Sequence, residues 1–136
     1  MIYLFTGDDA SKRRAAYEKF LASVPKNIPT FFIQKNEFDP ILLGSLYSGA
    51  GLFFSKSVVV FQNIFEFETA RNFILDKLEF IHDSESTFVF SESKLGKPIL
   101  DAFKKVGAKV YVFELPKEKK EKFNNFLLAN AFEQKD

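Results

Sequence analysis

The 136-residue chain contains no cysteine, no tryptophan and a single histidine, His82. The absence of cysteine excludes disulfides, thiolate nucleophiles and thiolate metal sites, and it fits a protein of the reducing cytoplasm. One histidine does not make a histidine-based metal site. We therefore expect a cytoplasmic protein without a metal or another cofactor.

Long apolar runs and a charge of one sign are also missing. No run approaches the roughly 20 apolar residues of a membrane span, and no basic leader precedes the apolar N-terminus, so neither a membrane segment nor a signal peptide is expected. The formal net charge of +1 is too balanced for the overall electrostatic footprint of a nucleic-acid-binding protein, although it allows a local basic patch. The mixed-charge run 117–122 is typical of a solvated helix face.

Phenylalanine is abundant, with 19 residues, and much of it falls in short apolar runs. Five such runs are rich in β-branched and aromatic side chains, which is typical of strands. They are apolar nearly throughout, which predicts strands buried on both faces of a parallel sheet. The predicted strands are 2–6, 30–34, 57–62, 87–91 and 109–114.

Helical patterns separate these runs. Apolar spacings of three and four residues, together with Pro at helix starts and Gly at helix ends, predict one helix after each strand. Strands that alternate with helices indicate a three-layer α/β fold, with a five-stranded parallel sheet and right-handed crossovers. The predicted helices are 10–23, 40–48, 67–80, 98–106 and a last one that begins at Pro116.

The turn after the first strand is where a parallel sheet would hold a ligand. A phosphate-binding loop needs several glycines and a Lys-Ser/Thr pair, whereas this turn has Gly7 followed by Asp8 and Asp9. The two carboxylates would repel a triphosphate, so we expect no nucleotide hydrolysis. The favoured interpretation is that one of these acids caps the following helix.

A second interpretation of the acidic pair is a response-regulator receiver domain. Such a domain would hold Mg²⁺ through Asp8 and Asp9 and would use a lysine after the fifth strand, for which Lys117 is the candidate. The third strand ends in Gln62-Asn63, so the phosphate-accepting Asp is missing and a metal would have little to coordinate.

No other motif indicates catalysis. His82 follows the third predicted helix, where a histidine complements the helix dipole, and no Ser or Cys in a nucleophile elbow accompanies it. The polar run 91–94 could hold a Ser-Lys pair, and a plain loop is the favoured interpretation. Without catalytic machinery, the chain is expected to bind another macromolecule.

The composition of segment 48–56 is not explained by a buried core alone. Gly49 and Gly51 end a helix, and the large apolar residues Leu52, Phe53 and Phe54 follow in the connection to the third strand. Three consecutive side chains of this kind do not all turn inward. One structural explanation is that two pack under the helix and one is incidentally exposed; the other is a contact with a partner.

Several stretches, quoted as they stand, resemble the delta subunit of the bacterial DNA polymerase III clamp loader in its first domain. They are IYLFTGDD, LYSGAGLFFSKSVVVFQNI and STFVFSESKLGKPILDAFKKVGAKVYVFEL. The resemblance covers residues 2–115, and the order and spacing of short motifs carry it. One departure is Gly96, where the family often has Asp.

The resemblance implies an AAA+-like (P-loop-like) domain without a functional P-loop. It implies a non-catalytic subunit of the DNA polymerase III holoenzyme that binds the sliding clamp and helps to open it. The matching clamp-binding residues are Leu52 and Phe53, with Phe54 beside them, and Gly7, Asp8 and Asp9 correspond to a degenerate nucleotide loop. The implied partners are the clamp, the other loader subunits and, through the assembled loader, DNA.

The resemblance also sets an expected division of the chain. Residues 1–116 are predicted to form the AAA+-like clamp-binding domain, and residues 117–136 a C-terminal helix that begins a truncated helical region. A receiver-like or nucleotide-responsive regulatory domain and a structural scaffold whose tail helix docks elsewhere remain the alternatives.

Overall fold

The computed structural model describes residues 1–48 and 56–116, apart from the side chains of Lys35 and residues 46–48. The described strands are β1 (Ile2–Thr6), β2 (Thr30–Gln34), β3 (Val58–Gln62), β4 (Thr87–Glu92) and β5 (Lys109–Val112). The described helices are α1 (Ala10–Ala22), α2 (Pro40–Ser48), α3 (Glu68–Asp76), α4 (Leu78–Asp83) and α5 (Lys97–Lys105). Short 3-10 turns follow β2 (Lys35–Glu37) and β3 (Ile64–Glu66).

The five strands of the described region pair in parallel in the order β2-β3-β4-β1-β5. This confirms the predicted parallel α/β sheet. A receiver domain has the doubly wound order 2-1-3-4-5. In this chain β1 lies between β4 and β5 instead, so the receiver interpretation is wrong.

The two faces of the sheet bury separate apolar clusters. On one face, Leu43 of α2, Ile74 of α3, Ile81 of α4 and Phe103 of α5 pack against alternate strand residues. On the other face, among the described residues, α1 is the helix that packs against the sheet, with Tyr17 as its buried side chain. Right-handed crossovers explain this division, because the connection from β1 to β2 runs across the sheet in the opposite direction to the others.

The prediction that the strands are buried on both faces is confirmed for the three inner strands and is wrong for the two outer ones. Strands β1, β3 and β4 are almost wholly buried. In β2, Phe32 is 53% exposed, and in β5 Tyr111 and Val112 are also exposed. Apolar runs of similar composition therefore occupy inner and edge positions, so composition does not distinguish the two.

Two predicted elements need correction by more than one residue. The helix predicted over 67–80 is two helices, because the chain turns at Lys77 (φ −102°, ψ 12°). Strand β5 ends at Val112, two residues before the predicted end, although the Phe113 N–H still donates to the Thr6 carbonyl at 2.8 Å. None of the helices in the described ranges is long and apolar enough to cross a membrane.

Candidate functional site

The turn between β1 and α1 consists of Gly7, Asp8 and Asp9, so it is much shorter than the phosphate-loop motif of about eight residues. Gly7 has φ +130°, and a Cβ there would lie 2.6 Å from the Phe113 carbonyl carbon and closer still to its oxygen. The backbone that leaves β5 therefore lies directly against this turn. Only glycine fits, because both the positive φ and the close approach exclude a side chain.

The two acids of this turn have different structural roles. The Asp9 carboxylate accepts the Lys12 N–H at 3.1 Å and caps α1. The Asp8 carboxylate accepts the Leu115 N–H at 2.8 Å, and the Asp9 N–H donates to the Phe113 carbonyl at 3.0 Å. The Asp9 N–H and the Lys12 N–H, which lie at the start of α1 where an anion would bind, therefore already donate to protein acceptors.

A row of polar side chains crosses the carboxyl edge of the sheet beside α1. Gln34, Gln62 and Ser91 stand in register on neighbouring strands. The Gln62 amide donates to the Tyr17 hydroxyl at 3.0 Å, and burial is the main cause that raises the pKa of this phenol. Between this row and α1 lies a groove of about 590 Å³, which Arg13 and Arg14 also line.

Glu92, the last residue of β4, is a buried carboxyl group that is 1% exposed. Its Oε1 accepts the Phe65 N–H at 2.8 Å and so fixes the 3-10 turn after β3. Burial raises the pKa of Glu92 to about 8, against the opposing effects of its backbone hydrogen bonds and of the Arg13 charge. The carboxyl is therefore mostly uncharged at neutral pH. A cavity of about 230 Å³ adjoins it.

Sequence reasoning placed Glu92 in a plain polar loop and missed its burial. Sequence reasoning also missed Tyr17, which is the buried side chain of α1. The apolar run that begins at residue 87 could have indicated the burial of Glu92. A strand that extends one residue beyond the predicted 87–91 includes Glu92 in the sheet and not in the following loop. No three His, Asp or Glu side chains come together as a metal site in the described parts of the chain.

The proposed clamp-binding residues Leu52, Phe53 and Phe54 lie outside the described residues. The described elements on either side are α2, which ends at Ser48, and β3, which begins at Val58. Because α2 runs antiparallel to the strands, its end and the start of β3 both belong to the amino edge of the sheet. The Gly7–Asp9 turn lies at the opposite, carboxyl edge.

Together these features define a three-layer α/β domain in which the β1–α1 turn is hydrogen-bonded to the residues that follow β5. No protein-family model matches the chain, and no curated protein sequence matches it. Its fold is similar to the crystal structure of a DNA polymerase III gamma subunit-related protein from Thermotoga maritima, with a TM-score of 0.51 and 16% identity. The match covers 89% of this chain and 43% of that protein. This likeness shows the fold alone, in agreement with the predicted parallel α/β architecture.

Proposed function

We propose that this chain is a clamp-loader subunit of the delta type, which binds a sliding clamp and favours its open form without hydrolysing ATP. The observation that carries the proposal is the fold, which is similar to that of a DNA polymerase III gamma subunit-related protein. The motif resemblance over residues 2–115 supports the delta type. In this proposal residues 1–116 are the clamp-binding domain, and residues 117–136, which lie outside the described ones, begin a helical region.

The β1–α1 turn supports the absence of ATP hydrolysis. A nucleotide triphosphate is held by backbone N–H groups of a glycine-rich loop and by a lysine. Here the Asp9 N–H and the Lys12 N–H are bonded to Phe113 and to the Asp9 carboxylate. The chain would then act by binding alone: a subunit that binds the open clamp more tightly than the closed one shifts the clamp towards the open form.

The contact with the clamp is assigned to Leu52 and Phe53, with Phe54 beside them. Burial of a Leu and a Phe side chain in a pocket contributes roughly 1.5–3 kcal/mol each, and apolar anchors of this kind dominate the energetics of protein interfaces. The neighbouring helix α2 already exposes apolar side chains, since Ile41 is 84% and Leu42 is 47% exposed.

The test is a binding measurement with the sliding clamp from the same genome. We expect Leu52→Ala combined with Phe53→Ala to raise the Kd at least about a hundredfold, since a loss of about 3 kcal/mol corresponds to that factor. The matched control is Val112→Ala with Phe80→Ala, because it removes an exposed aliphatic and an exposed aromatic side chain outside α2.

Each result has a distinct meaning. Normal binding by the Leu52/Phe53 variant would show that the assigned site is wrong. A wild-type chain that does not bind the clamp would refute the proposed function itself. Circular dichroism of both double variants checks that the fold is retained.

A further inference from the structure

The net charge of +1 conceals an uneven distribution of charge among the described elements. Helix α1 carries four cations against one acid, Glu18, whereas the segment 66–85 on the other face carries six acids against two cations. The cations of α1 are Lys12, Arg13, Arg14 and Lys19. Arg14 and Glu18 form an exposed pair at 3.3 Å, and such a pair is too weak to keep Arg14 from another anion.

The groove beside α1 is lined mainly by side chains that donate hydrogen bonds, and Glu18 adds a carboxylate to its lining. Arg13 and Arg14 line one wall, and Gln62, Asn63 and Ser91 line the other, at the carboxyl ends of β3 and β4. A second hollow of about 250 Å³ shares Gln62 and Asn63 and extends to Gln34 and Glu66. The polar trough therefore spans three neighbouring strand ends, about 10 Å at the usual strand spacing.

Arg13 keeps its charge available to this trough. Its Nη1 donates to the Gly7 carbonyl at 2.7 Å, and the guanidinium has further donors. The nearby Glu92 carboxyl has a pKa of about 8 because it is buried, so at neutral pH it does not neutralise the guanidinium. Guanidinium groups and side-chain amides are the donors that bind phosphate esters with defined geometry.

An exposed aromatic ring lies on the same face of the sheet. Phe32 is 53% exposed and stands two residues before Gln34 on β2, so both side chains lie on the α1 side of the sheet. Proteins that bind single-stranded nucleic acids combine a cationic groove for the backbone with aromatic rings on which bases stack.

We propose that the trough between α1 and the carboxyl ends of β2, β3 and β4 binds a single-stranded nucleic acid. Arg13 and Arg14 contact its phosphates, the amides of Gln34 and Gln62 donate to the strand, and Phe32 stacks on a base. This site goes beyond the proposed clamp contact, which involves other residues, and it stands whether or not the chain binds a clamp.

The test is fluorescence anisotropy of the full chain with a labelled 12-nucleotide thymidine strand at 50 and 200 mM salt. Arg14→Gln changes a side chain that is 80% exposed, so the fold is retained. We expect it to weaken binding several-fold and to reduce the salt slope by about 0.7 for each phosphate that the variant no longer neutralises. The matched control is Lys105→Gln, an exposed cation of α5 on the other face, which is expected to have little effect.

Phe32→Ser tests stacking, with Phe80→Ser as the matched exposed phenylalanine of α4. Only the Phe32 variant is expected to weaken binding of the single strand. The proposal is overturned if the wild-type chain does not bind the strand at 50 mM salt, or if Arg14→Gln and Lys105→Gln have equal effects. It is also overturned if ATP, inorganic phosphate or a duplex competes as well as the unlabelled strand.

Discussion

At the scale of single residues, Glu92 shows how tertiary structure changes the chemistry of a side chain. Its neighbours in sequence are Ser91, Ser93 and Lys94, which are polar and predict a solvated loop. The structure instead buries the carboxyl between the end of β4 and the turn at Ile64–Glu66. The length of the strand was the only local signal for this burial, because the hydrogen bond that accompanies it joins residues 27 positions apart along the chain.

The raised pKa of Glu92 predicts a pH dependence of stability. The carboxyl has a pKa of about 8 in the folded chain and 4.5 as its ordinary value, so between these values the folded state binds more protons. Its contribution to stability is complete below pH 4.5 and is lost as the pH rises to about 8, a loss on the order of a few kcal/mol.

We expect Glu92→Gln to remove this slope and to be more stable than the wild type at pH 9, because the amide oxygen still accepts the Phe65 N–H. Urea unfolding at pH 6 and pH 9 measures the effect. Glu85→Gln, which changes an exposed carboxyl, serves as the control. An unchanged slope in the Glu92 variant would mean that this carboxyl is ionised in the fold at neutral pH.

At the scale of elements, the short apolar runs predicted every described strand to within two residues. The prediction of one helix over 67–80 was wrong. The backbone turns at Lys77, while the apolar spacing in the sequence continues through that turn. Periodic patterns report which side chains face the core, and α3 and α4 both face it. The break between them leaves no trace in the apolar spacing.

The β1–α1 turn yields a prediction at this scale. Gly7→Ala places a Cβ against the Phe113 backbone at φ +130°, so we expect a loss of at least about 2 kcal/mol in the free energy of unfolding. Gly96→Ala is the control, since φ there is −69° and the nearest atom to a Cβ is Pro98 Cδ at 3.7 Å. Its expected cost is below about 1 kcal/mol. Denaturant unfolding compares the two, and equal losses would contradict the close packing at Gly7.

At the scale of the whole molecule, sequence predicted a parallel sheet and left the strand order open. Alternation of strands and helices requires crossovers, yet it does not say which strands are neighbours. The position of β1 between β4 and β5 depends on pairings between residues far apart in sequence, such as Ile2 with Phe88. That order is what separates the described fold from a receiver domain.

The trough lies at the carboxyl edge of the sheet, whereas the described residues that flank segment 49–55, Ser48 and Lys56, belong to the amino edge, and this predicts that the two proposed sites act independently. The Leu52/Phe53 double variant is expected to bind the oligonucleotide within about twofold of wild type, because distant sites without shared partners are additive. Arg14→Gln is likewise expected to leave clamp binding within about twofold. The same two binding assays, each run on both variants, measure this. A large loss in both assays from one variant would indicate a coupled or unfolded protein.

The hydrogen bonds at the end of β5 have a mechanical consequence. The Phe113 N–H bonds Thr6, the Phe113 carbonyl accepts the Asp9 N–H, and the Leu115 N–H bonds the Asp8 carboxylate. The end of the described chain, up to Pro116, is thus anchored to the start of α1. Tension applied at Pro116 would load these bonds together and reach α1 before the rest of the sheet.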